Sequence, residues 1–118
     1  MTSLMSSPSQ RAMERRSAPR QRTLLAGRLS YGDPAVVIAC SIRNLSPVGA
    51  NIELEGPVLL MPPFRLLLAR EGVAYDATIV WRRGPRIGLA LGVAHDLREP
   101  VDQQIRMLQA IWKEMALR

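Results

Sequence analysis

The side chains best suited to chemistry in this sequence are arginines, and they crowd at one end. Residues 1–30 hold Arg11, Arg15, Arg16, Arg20, Arg22 and Arg28 against the single carboxylate of Glu14, while the rest of the chain is close to neutral. Of the sixteen basic residues only Lys113 is a lysine. A guanidinium is a planar fork that grips a phosphate, or the O6/N7 edge of guanine, through two parallel hydrogen bonds; an ammonium is a point charge that cannot. Codon bias in a GC-rich genome would favour arginine over lysine everywhere, but it does not explain the crowding. A second group is Asn44-Leu45-Ser46-Pro47-Val48-Gly49. Asn and Ser tolerate turn conformations and offer short polar side chains, and a glycine permits positive φ or close backbone approach.

Other chemistry has little to draw on. Cys40 is the only cysteine and His95 the only histidine, so neither a disulfide framework nor a thiolate zinc site can be assembled, and Cys40 reads as a small buried residue. Glu53, Glu55 and Asp76 read as strand-edge surface groups rather than an acid–base pair. The expectation is a non-enzyme without metal or cofactor. The longest apolar run, Ala35 to Cys40, is far below the roughly 18 residues of a membrane span. The opening residues lack a signal-peptide core, so a cytoplasmic location is expected.

The elements that must position these groups are mostly strands. Residues 1–13 read as a flexible tail, rich in Ser and Pro, followed by the arginine arm. Leu25, Gly27, Leu29 and Tyr31 alternate up to the turn signal Gly32-Asp33-Pro34. Val36, Ile38, Cys40 and Ile42 form the apolar face of a second strand, broken at 44–49. Ile52 and Leu54 mark a third strand, and Phe64 to Arg70 a fourth. Val73, Tyr75, Ala77, Ile79 and Trp81 share one face of a long fifth strand, which favours a place in the core for Trp81 over a stacking role. Ile87, Leu89 and Leu91 make a sixth, ended by Gly92. The turn spacing predicts a six-stranded antiparallel barrel over 14–95 that includes the arm. From Asp96, with Glu99 and Pro100 as entry signals, a helix is expected over 96–118, packing on the barrel through Ile105, Leu108, Ile111 and Met115. That stripe would cover an open barrel end or make a dimer contact. Arg82, Arg83 and Arg86 read as a solvated turn.

Arg16-Ser17-Ala18-Pro19-Arg20 ahead of the first strand, and Asn44 to Gly49 between the second and third, resemble the RxxxR and [D/N]xSxxG segments of the PilZ domain family. The likeness extends to Ile79-Val80-Trp81-Arg82 and Arg86-Ile87-Gly88-Leu89, and covers about residues 14 to 92. Two positions depart from the family pattern: Val48 stands where many members have glycine, and Leu91, placed in the core, where an aromatic is common. The resemblance implies a PilZ-like split β-barrel with a C-terminal helix that binds the bacterial second messenger cyclic di-GMP. It implies that Arg16 and Arg20 clasp phosphates and guanine edges with help from Arg15, and that Asn44 and Ser46, on the turn closed by Gly49, face the ligand. Arm closure would then signal to a protein partner in motility, biofilm or exopolysaccharide control. Two other readings stand beside it: a small barrel binding single-stranded nucleic acid, and a PilZ-like adaptor without ligand. The first is poorly served by five aromatics that mostly fall on core faces.

Overall fold

Alternation with a period of two builds six strands: β1 (Gln21–Tyr31), β2 (Val36–Ser46), β3 (Gly49–Leu54), β4 (Phe64–Leu68), β5 (Val73–Arg83) and β6 (Arg86–Asp96). The computed structural model describes residues 21–116, so the arm with Arg15, Arg16 and Arg20 lies outside the described residues. Every neighbouring pair is antiparallel. The order β1-β2-β3-β6-β5-β4 closes on itself through pairing of β1 with β4, for example Leu29 with Leu66. Closure satisfies the backbone groups that an open sheet would leave along its edges.

The inward faces meet in one apolar core. Leu29, Ile42, Ile52, Leu66 and Ile87, from five different strands, are fully buried. Each such side chain contributes about 1.5–3 kcal/mol relative to exposure. The connection between β3 and β4 adds Val58 and Leu60 to this core, and Arg82 pins it by donating from Nη2 to the Val58 carbonyl at 2.8 Å. Leu91 packs against the same core. Cys40 is buried within it, and desolvation pushes its thiol up to about 12 against a smaller opposing pull from the Arg28 charge. The thiolate is the reactive species. Cys40 is therefore expected to stay unmodified by a thiol reagent at pH 8 in the folded protein and to react fully in denaturant, as an absorbance assay of labelling would read.

The helix α1 (Arg106–Ala116) follows a 3-10 turn at Gln103–Ile105. It packs on the outer face of the barrel and does not cover an open end. Leu67 of β4 and Ala74 of β5 point outward there, and both are buried with Leu97, Ile105 and Leu108. The apolar stripe of the helix is thus spent inside the chain. Trp112 docks the helix further, its indole N–H donating to the Ala69 carbonyl at 2.9 Å.

Three boundaries differ most from expectation, and the first is that β4 ends at Leu68 and not at Arg70, because Ala69 and Arg70 belong to the turn. Gly92 does not end β6, which continues to Asp96, because the register with β5 slips by one residue there. The glycine sits at a bulge opposite Asp76. The helix does not begin at Asp96 either. The Asp96 carboxylate is engaged by the Arg98 backbone N–H at 3.0 Å and by its Nε at 3.1 Å, closing a turn in which Glu99 N–H also donates to the Asp96 carbonyl. The Arg98 backbone hydrogen bond is the first cause holding the Asp96 carboxyl below its usual value. Gln109 of α1 then reaches back to the Leu97 and Glu99 carbonyls, each at 2.9 Å.

Candidate functional site

The Asn44–Gly49 segment is mostly strand. Asn44, Leu45 and Ser46 stay in β2, Gly49 opens β3, and only Pro47 and Val48 turn. The Ser46 hydroxyl stabilises this tight turn, accepting from the Val48 N–H and donating to the Gly49 carbonyl, both at 3.4 Å. The Val48 carbonyl in turn accepts from the Leu91 N–H of β6 at 2.9 Å. Of the two uses open to Gly49, the structure takes close approach: a Cβ there would lie 3.1 Å from the Leu89 carbonyl oxygen. Any side chain would press on β6.

Pairing registers carry the site across the barrel. Arg22 pairs with Asn44, Asn44 with Asn51, Asn51 with Gly88, and Gly88 with Trp81, so one row crosses β1, β2, β3, β6 and β5. The flanking residues Leu45, Ala50 and Leu89 belong to the core, so alternation puts Asn44, Asn51 and Gly88 on the outer surface. From Asn44 to Trp81 are three interstrand spacings, about 14 Å in all. Amides occupy one end of the row and a flat ring the other.

Trp81 is where the structure corrects the sequence most sharply. It is 42% exposed and not in the core. Strict alternation along β5 would keep it inward, but a register slip between Ile79 and Trp81 leaves Val80 as the extra residue and turns the indole out. The ring lies over Gly88, where a Cβ would collide with Nε1, Cε2 and Cδ1 of the indole. Gly88 is thus the floor that lets Trp81 lie down on the sheet.

These residues line a cavity of about 250 Å³, together with Val48, Val80 and Leu89. Pockets that enclose a small ligand run to about 300–1,000 Å³, so among the described residues this cavity falls just short of that range. Asn44, Ser46 and Gly49 are brought together in it. Arg15, Arg16 and Arg20 lie outside the described residues. Sequence reasoning singles out neither Asn51 nor Gly88 for this cavity, and it favours the core over a stacking role for Trp81. Alternation through Ala50, Asn51 and Ile52 does point Asn51 outward, but the bulge that exposes Trp81 leaves no mark in the sequence.

Beside the row runs a charged one. Glu53 pairs in register with Arg86, and Arg86 with Arg83. Arg43 Nη1 donates to Glu53 at 2.9 Å, and Arg86 Nε lies 3.8 Å from the same oxygen. These side chains are roughly one-third to one-half exposed, so the pairs add little stability. One carboxylate against three guanidiniums nevertheless leaves the rim positive, which favours an anionic ligand.

Farther along β5 and β6, Asp76 accepts from Arg65 Nε and contacts His95 Nε2, each at 3.0 Å. His95 lies in β6 and not at a helix start. Among the described residues no group of three or more His, Cys, Asp and Glu could hold a metal ion, and no helix is long and apolar enough to cross a membrane.

No curated protein matches the chain in sequence. The family model of the PilZ domain matches residues 14–110. That span takes in the arm, all six strands and the residues of the outward row, and the chain belongs to the PilZ domain family, a family of cyclic di-GMP receptors.

Proposed function

We propose that this protein is a cytoplasmic, non-catalytic cyclic di-GMP receptor whose arginine arm closes over the Asn44–Trp81 row and passes the signal to a protein partner in motility, biofilm or exopolysaccharide control. One observation carries the reading. Gln21, next in the chain after Arg20, pairs with Leu45, and Arg22 pairs with Asn44. The arm therefore joins the barrel beside the amide end of the row.

The chemistry is complementary. Cyclic di-GMP presents two phosphates and two guanines. Guanidiniums of Arg15, Arg16 and Arg20 suit the phosphates and the O6/N7 edges. Asn44 offers an acceptor and donors on the sheet side and Ser46 a further acceptor lone pair, the close packing at Gly49 holds their turn, and the Trp81 indole offers a stacking face. Stacking on an aromatic is worth about 1–3 kcal/mol per base. Trp81→Ala is expected to weaken binding by about 5- to 150-fold with little change in melting temperature, read by calorimetry and a thermal melt.

Calorimetric titration with cyclic di-GMP, GTP, cyclic AMP and a short single-stranded oligonucleotide tests the proposal. Saturable binding of cyclic di-GMP alone is the expected result. Preference for the oligonucleotide would replace this reading with nucleic-acid binding, and binding of none of the four would leave an adaptor that works by protein contact.

A further inference from the structure

The geometry points to Asn51 as a second base-reading group, one that selects guanine over adenine and stays covered by Trp81 until ligand arrives. This inference rests on the reading of the row as a cyclic di-GMP site. Its starting point is independent of the arginine arm and of the Asn44–Gly49 turn. Among the described residues, Asn51 Oδ1 is the buried side-chain polar atom without a hydrogen-bond partner. Native folds rarely leave a buried acceptor unpaired, because its lost hydration is not repaid. Here the orphan lines the cavity at the middle of the row, between Asn44 and Gly88.

What would satisfy it follows from the ligand's remaining edge. With guanidiniums on O6 and N7, a guanine turns its N1–H and N2–H donors toward the sheet, and donors need acceptors. Asn44 and Asn51 pair in register across β2 and β3, so two carboxamides share one stretch of the outer face. Adenine has no donor at N1 or C2, and its N6–H would oppose the arginine donors on the other edge. Asn51 therefore contributes to discrimination as well as to affinity.

In the proposed arrangement Trp81 is what covers the oxygen. Its indole occupies the space over Gly88 that a side chain would fill, next to Asn51 in the row. The ring is itself partly exposed, so it can lift without breaking the core. A base entering the cavity would take the ring as its stacking partner and reach the uncovered oxygen.

Calorimetry of the full chain and of Asn51→Leu and Asn51→Ala with cyclic di-GMP and cyclic di-AMP tests the assignment. Each variant is expected to lose about 10- to 100-fold in affinity for cyclic di-GMP, with the guanine-to-adenine preference falling by the same factor. Asn51→Leu should melt no lower than the parent, since it removes an unpaired polar atom. On saturation the indole N–H resonance of Trp81 should shift, while that of Trp112, bonded to Ala69, stays in place. A folded variant that binds cyclic di-GMP like the parent overturns the role of Asn51, and an unmoved Trp81 resonance overturns the cover. If the parent itself fails to bind cyclic di-GMP, the proposed function falls, and this inference with it.

Discussion

Arg16→Ala and Arg20→Ala are each expected to lower affinity for cyclic di-GMP by about a hundredfold or more while the melting temperature stays unchanged. A charge-assisted hydrogen bond is worth about 1.5–3 kcal/mol, and a guanidinium that grips a phosphate or guanine edge makes two. In the proposed closure, fixing the six residues from Arg15 to Arg20 would cost on the order of 6–12 kcal/mol. The arginine contacts and base stacking together exceed that cost only modestly, so losing one arginine tips the balance. Stability is a separate matter, because the barrel's buried core among the described residues is apolar and runs from Leu29 to Leu89. Calorimetry paired with a thermal melt reads both quantities. A variant that binds normally would remove that arginine from the account.

Gly72→Val is expected to do the reverse, costing about 2–4 kcal/mol of stability and lowering the melting temperature by roughly 10 °C or more, with little effect on ligand affinity. Gly72 has φ +65°, a region that β-branched residues avoid, and a Cβ there would lie 2.8 Å from Cζ2 of Trp112. The substitution strains the β4–β5 turn and pushes away the indole that docks α1. It also disturbs the Gly72 carbonyl that accepts from the Leu97 N–H at 2.8 Å. None of these groups lines the cavity between Asn44 and Trp81. Denaturant unfolding and a ligand titration on one sample would show whether helix docking and the site are separable.

Much of this architecture was legible because its determinants are local. Alternating apolar residues in Ile38 to Ile42 and in Ile87 to Leu91 define strands with one buried face, though Val36 at the start of β2 is exposed, and Gly72 and Gly84, both at positive φ, mark tight turns. What was not legible depends on pairing between distant residues. Trp81 continues an unbroken alternation from Val73, and only the slip against β6 reverses it. Gly92 looks like a terminator until the strand beside it shows that it relieves a bulge. Asp96 and Glu99 match a helix entry, yet the Asp96 carboxylate is taken by Arg98 first. Leu67 and Ala74 lie on the outer face of the barrel, and their spacing alone does not say that a helix will cover them. The site divides in the same way. Asn44, Ser46 and Gly49 are adjacent in sequence and were found together, whereas Asn51, Gly88 and Trp81 become neighbours only through the strand order β3-β6-β5.

Amide hydrogen exchange with and without cyclic di-GMP, followed by mass spectrometry across the whole chain, tests the central claim most directly. The account predicts that ligand slows exchange in two separate stretches, residues 14–22 and 44–51, with a smaller effect around Trp81 and none in α1. Protection confined to the helix or to the Asp76–His95 stretch of β5 and β6, with the arm and the 44–51 hairpin unaffected, would contradict it.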